Sequence, residues 1–206
     1  DMGEKKQYRL QMDFPFYTQR MTQETWEEEG FSSFPEADSW TFRSCGIASL
    51  RMILEGLGKQ VERHGTMIAK GVAAGAYKEG VGWIHWGLAK LAADYGIYGE
   101  ALREKTAEDL KQELDAGHPC IISIAPFFQG GKPKPDGSVY GKSGHLIPVF
   151  GYETEDGRLT AFLVHHPSAF LEQNKPNWWV PIEDFSASFG GNFIRFSTEN
   201  FSEEDK

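Results

Sequence analysis

Cys45 stands in Ser44-Cys45-Gly46, at the head of a stretch whose apolar residues Ile47, Leu50, Ile53, Leu54 and Leu57 recur at helical spacing. A helix start offers unpaired backbone N–H groups and the positive end of the macrodipole, both of which favour an anion. A thiol held there can have its pKa drawn from about 8.5 to roughly 3.5–7.5, and the resulting thiolate is a nucleophile at neutral pH. Gly46 would let a substrate approach closely. The competing reading is a cysteine used as small apolar filler. Cys120 opens the β-branched run Cys120-Ile121-Ile122-Ser123-Ile124, which reads as a buried strand, and filler is its expected role. A Cys45–Cys120 disulfide is open in an oxidising compartment and would abolish the nucleophile.

A thiol nucleophile needs a base. Of the six histidines, His145 follows Gly144, opens an apolar strand and succeeds a Gly/Pro/Lys loop, so it could present its ring to a cleft. The alternative is a ring satisfied by hydrogen bonds at a strand edge. His165-His166-Pro167 ends the next strand, and one ring of the pair could point at His145 as an orienting group. A solvated strand end is the plainer reading of that pair. A zinc site of Cys45, His145, His165 and His166 is a third option, disfavoured because the spacings match no known ligand pattern, and no metal or cofactor is expected. His64, His85 and His118 sit in helical or turn contexts and read as structural.

The elements that must position these groups follow from periodicity. The helix from Ser44 to Leu57 has Ser44 available as N-cap and Gly56 and Gly58 as stops. Further helices are expected at Val61–Val72 and Ile84–Tyr95, and from Thr106, which forms a capping-box pattern with Asp109, to Gly117. Strands are expected at Tyr8–Asp13, at the Cys120 run, and at His145–Tyr152, Leu159–His165, Trp178–Ile182 and Asn192–Phe196, with Glu155-Asp156-Gly157 turning the chain. Pro148 removes a ladder donor from its strand and implies an edge or a bulge. The stretch after Tyr17, containing Glu27-Glu28-Glu29-Gly30, reads as a surface loop or broken helix. Helices followed by strands make this an α+β chain: a helical first half and an antiparallel sheet in the second.

At 206 residues the chain fits a single domain, 1–206, with ends expected to fray at about 1–7 and 199–206. The 40% hydrophobic and 14% aromatic content supplies a core. A net charge of −9 repels phosphate backbones and anionic headgroups, so nucleic acid and membrane surfaces are poor partners. No run reaches the roughly 18 apolar residues of a membrane span. The chain begins Asp1-Met2-Gly3, which is compatible with removal of an export signal.

Cys45-Gly46-Ile47-Ala48-Ser49-Leu50, Gly144-His145 with Val149-Phe150-Gly151-Tyr152, and Val164-His165-His166-Pro167 together resemble a papain-like cysteine peptidase of the family 39-like type, a relative of the bacteriocin-leader peptidases. The segment Leu110 to Pro119 leading into a strand fits the same order, and the resemblance spans roughly Phe14 to Pro167. It implies an α+β papain-like fold with Cys45 as nucleophile and His145 as base. Tyr17-Thr18-Gln19 resembles the family's aromatic-x-Gln segment, which makes Gln19 the oxyanion donor alongside the Cys45 N–H, with Gln23 as a fallback. Gln19 lies 26 positions before Cys45, a gap that requires an insertion to loop out. Where the family has Asp-Pro, this chain has His166-Pro167; an imidazole can orient His145 but cannot stabilise an imidazolium as a carboxylate does. The resemblance also implies a stand-alone bacterial protein, exported or at the cell surface.

Two functions follow. In the first, a Cys45 thiolate activated by His145 hydrolyses a peptide or amide bond, with Phe42, Trp40, Trp178 and Trp179 as candidates to line the cleft. In the second, the same scaffold is a weak or inactive module that binds peptide or cell-wall ligands, because His166 replaces the aspartate.

Overall fold

The computed structural model describes residues 3–202. The helices expected from periodicity are present with shifted ends. α1 (Phe34–Trp40) is followed by α2 (Cys45–Gly56), α3 (His64–Ala73), α4 (His85–Ala93), α5 (Ala107–Asp115) and a late α6 (Ile182–Ser188). α5 starts at the capping box read from the sequence: the Thr106 hydroxyl accepts from the Asp109 N–H at 3.1 Å, and the Asp109 carboxylate accepts from the Thr106 N–H at 2.8 Å. α1 formed within the segment read as loop or broken helix. Pro35 in its first turn and a Ser33 hydroxyl cap on the Glu36 N–H start it.

The strands are β1 (Lys5–Arg9), β2 (Tyr77–Lys78), β3 (Gly82–Trp83), β4 (Tyr98–Leu102), β5 (Cys120–Ile124), β6 (His145–Glu155), β7 (Arg158–His166), β8 (Lys175–Pro181) and β9 (Phe189–Ser197). β2 and β3 form a small hairpin. The others make one antiparallel sheet in the order β4-β9-β5-β6-β7-β8, with β1 beside the second half of β6. The fold is thus α+β, as expected. Three strands of the first half were not foreseen, β2, β3 and β4, and β1 starts earlier than expected, because short mixed-polarity strands carry little periodicity.

The ends are more ordered than their composition implies. Lys5, Lys6 and Gln7 pair with Glu155, Thr154 and Glu153, so β1 replaces the later strand expected at Tyr8–Asp13. Near the other end Phe201 is buried, edge-on to His118 and beneath the guanidinium of Arg195. Arg195 itself is fully buried and holds Glu100 of β4 and Glu113 of α5. Residues 1–2 and 203–206 lie outside the described residues. Pro148 does not mark an edge, since β6 is flanked by β5 and β7. The other expectation, a bulge, is met beside it, where the β6–β7 register shifts between Val149 and Gly151.

α2 is the element around which the site is built. Every residue from Gly46 to Leu54 is buried, between the sheet on one side and α3 and α4 on the other. The Ser49 hydroxyl, one turn from the helix start, donates to the Leu146 carbonyl at 3.0 Å and fastens the head of α2 to the head of β6. No described helix is long and apolar enough to cross a membrane.

Candidate active site

Cys45 is the first residue of α2, and Ser44 occupies the N-cap position. The Ser44 hydroxyl does not cap the helix, however: it hydrogen-bonds to the Nε2 of buried His64 at 2.9 Å. The free N–H groups of the first turn are left to the sulfur, and those of Cys45 and Gly46 together with Leu146 on β6 pull the Cys45 pKa down. Burial outweighs them and raises the thiol above its ordinary value. The resting group is therefore a thiol, where the helix start alone implied a thiolate. Gly46 does not leave room for substrate either. A Cβ there would lie 2.8 Å from the Trp83 ring, which also covers Gly71 of α3 and donates its indole N–H to the Arg43 carbonyl at 2.8 Å.

His145 opens β6, with Gly144 before it at φ +110°, a conformation that favours glycine. Its Nε2 lies 2.7 Å from the Pro167 carbonyl oxygen. A carbonyl only accepts, so Nε2 carries the proton and Nδ1 keeps its lone pair. Burial lowers the His145 pKa to about 4, and the Pro167 hydrogen bond opposes this weakly. Cys45 and His145 line the same cleft of about 500 Å³.

The neighbouring histidines face different ways because successive strand residues alternate. His165 points into the core, donating from Nε2 to the Phe14 carbonyl and accepting from the Asn177 N–H at Nδ1. His166 turns toward His145, with ring centroids 4.8 Å apart. Yet its Nδ1 donates to the Gln173 carbonyl at 2.8 Å and its Nε2 accepts from the Phe127 N–H at 3.2 Å. Both ring nitrogens are spent, so His166 packs against His145 and makes no hydrogen bond to it. The group at the orienting position is the next residue's backbone carbonyl. Side-chain patterns could not reveal it, since every residue has one.

Gln19 is buried, and its amide donates to the Thr41 carbonyl at 2.9 Å. The Met21 N–H also bonds the Thr41 hydroxyl, so the intervening residues, α1 included, loop out and return Gln19 to the segment entering α2. No hydrogen bond joins Gln19 to Cys45, and Gln23 is exposed. Of the aromatics expected at the cleft, Phe42 lines it, whereas Trp40, Trp178 and Trp179 pack against the core. Trp83, Arg103 and His85 line it too, although no motif singled them out and His85 read as structural. Cys120 is a free, fully buried residue of β5, and burial holds its thiol well above the usual range. Cys45 is free as well. Among the described residues no three His, Cys, Asp or Glu side chains are grouped to hold a metal, and His165 faces away from the other three candidates.

The chain matches the model of the Peptidase_C39 like family over residues 11–195. Solved structures agree on the fold. A chain described as a C39-like peptidase from Bacillus anthracis is 19% identical with a TM-score of 0.58, covering 96% of this chain and all of that one. A double glycine motif protease from an AMS/PCAT transporter, solved with the leader peptide, is 19% identical with a TM-score of 0.52, covering 91% of this chain and 92% of that one. The peptidase domain of Streptococcus ComA, a bifunctional ABC transporter of a quorum-sensing pathway, is 15% identical with a TM-score of 0.50, covering 76% and 93%. No curated protein matches.

Proposed function

The chain belongs to the Peptidase_C39-like family, and from that premise we propose that it hydrolyses a peptide or amide bond through Cys45, with His145 as general base. The observation that carries the proposal is the shared cleft: the Cys45 thiol receives the Leu146 N–H, and the adjacent His145 has Nε2 fixed by the Pro167 carbonyl and Nδ1 free to accept. The resting pair is neutral on both sides, because burial raises the thiol and lowers the imidazole. Proton transfer therefore accompanies attack. As Sγ bonds to the substrate carbonyl carbon, its proton passes to Nδ1 of His145. The oxyanion faces the Cys45 N–H, and the second amide proton of Gln19 is the candidate partner. The imidazolium then protonates the leaving amine, and water cleaves the thioester. The Pro167 carbonyl dipole favours the imidazolium, but less than a carboxylate would.

The absence of that carboxylate, with both partners neutral, favours a second reading: a weak or inactive module that binds peptides. Exported or cell-surface placement goes with either proposal. The deciding experiment is the rate of Cys45 alkylation by iodoacetamide in Cys120→Ser protein, with and without His145→Ala. General-base help predicts a rate at neutral pH that falls by at least about tenfold without His145. Equal rates would sink the enzyme reading and leave the binding module.

A further inference from the structure

The cleft is electrostatically unlike the rest of the chain. Acidic residues outnumber basic ones by 30 to 21, yet no Asp or Glu lines the cleft that holds Cys45 and His145. Two arginines do, Arg43 and Arg103. Arg43 is occupied: it stacks on Trp40 at 3.7 Å, bonds the Ser39 carbonyl and pairs with Glu79 at 3.6 Å. Arg103 follows β4, is exposed, and makes no side-chain hydrogen bond or ion pair among the described residues. His85, at the start of α4 and also in the cleft, likewise has no hydrogen-bond partner for its ring. Arg103 lies close enough to depress the His85 pKa, second only to burial. A free guanidinium and an unpartnered imidazole thus face the same space, with no protein carboxylate between them.

We propose that Arg103 and His85 form an anion subsite, so that the cleft selects peptide or amide substrates carrying a carboxylate beside the bond attacked. This rests on the peptidase reading for its reaction, but the subsite is a property of the cleft whether or not the thiol is activated. A carboxylate there would form a charge-assisted pair with the planar fork of Arg103 and accept a hydrogen bond from His85. It would also offset the Arg103 charge that opposes protonation of the His85 ring. The apolar rim supplied by Phe42 and Val81, both mostly exposed, gives the rest of the substrate something to cover.

The test uses two alkylating probes of nearly equal size, anionic iodoacetate and neutral iodoacetamide, on the Cys120→Ser chain. The ratio of their rates at Cys45 reads the subsite, and the absolute iodoacetamide rate reads thiol activation, so the two proposals fail separately. Relative to free cysteine in the same buffer, the iodoacetate/iodoacetamide ratio is expected to be raised. It should fall about threefold in Arg103→Gln and further in Arg103→Glu, with Arg103→Lys in between, and high salt should compress the difference. Pairs of peptides differing by Glu against Gln should show the same order in binding to Cys45→Ala protein. A ratio equal to that of free cysteine, or one indifferent to Arg103→Glu, would overturn the subsite even if Cys45 proved fully reactive.

Discussion

At Cys45 and His145 the competition is between hydration and hydrogen bonding. Three backbone N–H groups converge on the sulfur, and still burial raises the thiol pKa, because removing a thiolate from water costs more than those bonds return. At His145 the same desolvation lowers the pKa to about 4, leaving one carbonyl to define the tautomer. This division of labour makes a specific prediction for His166, whose ring nitrogens serve Gln173 and Phe127. His166→Asn keeps a donor and an acceptor but shortens the side chain. It should cost about 1 kcal/mol of stability in urea denaturation, while the pH midpoint of Cys45 alkylation stays where it was. A shift of that midpoint by a full unit would return the orienting role to the imidazole.

At the scale of elements, the head of α2 is held in place by an aromatic wedge. Trp83, at the end of the β2–β3 hairpin, fills the space above Gly46 and Gly71, with its indole N–H on the Arg43 carbonyl just before α2. Gly46→Ala puts a Cβ within 3 Å of the ring, which is fixed by its hydrogen bond and by Tyr77 and Trp40. The expected cost is about 1–3 kcal/mol, the usual range for overpacking, readable as a lower urea midpoint. The same variant should slow Cys45 alkylation through displacement of the helix start. Unchanged stability would mean that Trp83 can move aside and that the wedge does not position the site. The Ser49 bond to Leu146 is the second fastening, and it ties Cys45 to His145 across 100 residues of sequence.

For the molecule as a whole, the histidines make folding sensitive to acid. Burial lowers the pKa of His64 to about 3, of His145 to about 4 and of His166 to about 3, and lowers those of His85 and His165 as well. In the unfolded chain each titrates near 6.5. Between those values the unfolded state binds more protons than the folded one, so stability rises with pH across that window. It is fully present above about pH 6.5 and declines as pH falls toward 4 and below. Urea midpoints should therefore drop between pH 7 and pH 5, a range in which few carboxylates titrate; a flat profile would contradict neutral burial of these rings. A single pKa lowered by about 3 costs on the order of 4 kcal/mol at the acid end, enough by itself to matter against a typical net stability of 5–15 kcal/mol.

What the sequence by itself determined is the part encoded in short-range pattern: the amphipathic helix headed by Cys45, the Thr106–Asp109 capping box, the β-branched run at Cys120 and the α+β order of elements. These depend on neighbours a few positions apart, whose spacing reflects helix and strand geometry directly. The ordered motifs around Cys45, His145 and Pro167 likewise led to the family that the comparison then established. Only the tertiary structure decided which of His165 and His166 turns toward His145, that a Pro167 carbonyl rather than a side chain holds the ring, and that Trp83 occupies the space above Gly46. It also decided that Cys45 rests as a thiol and that Arg103 and His85 share its cleft. Each of these turns on how much water is excluded and on contacts between residues distant in sequence, quantities that no local spacing carries.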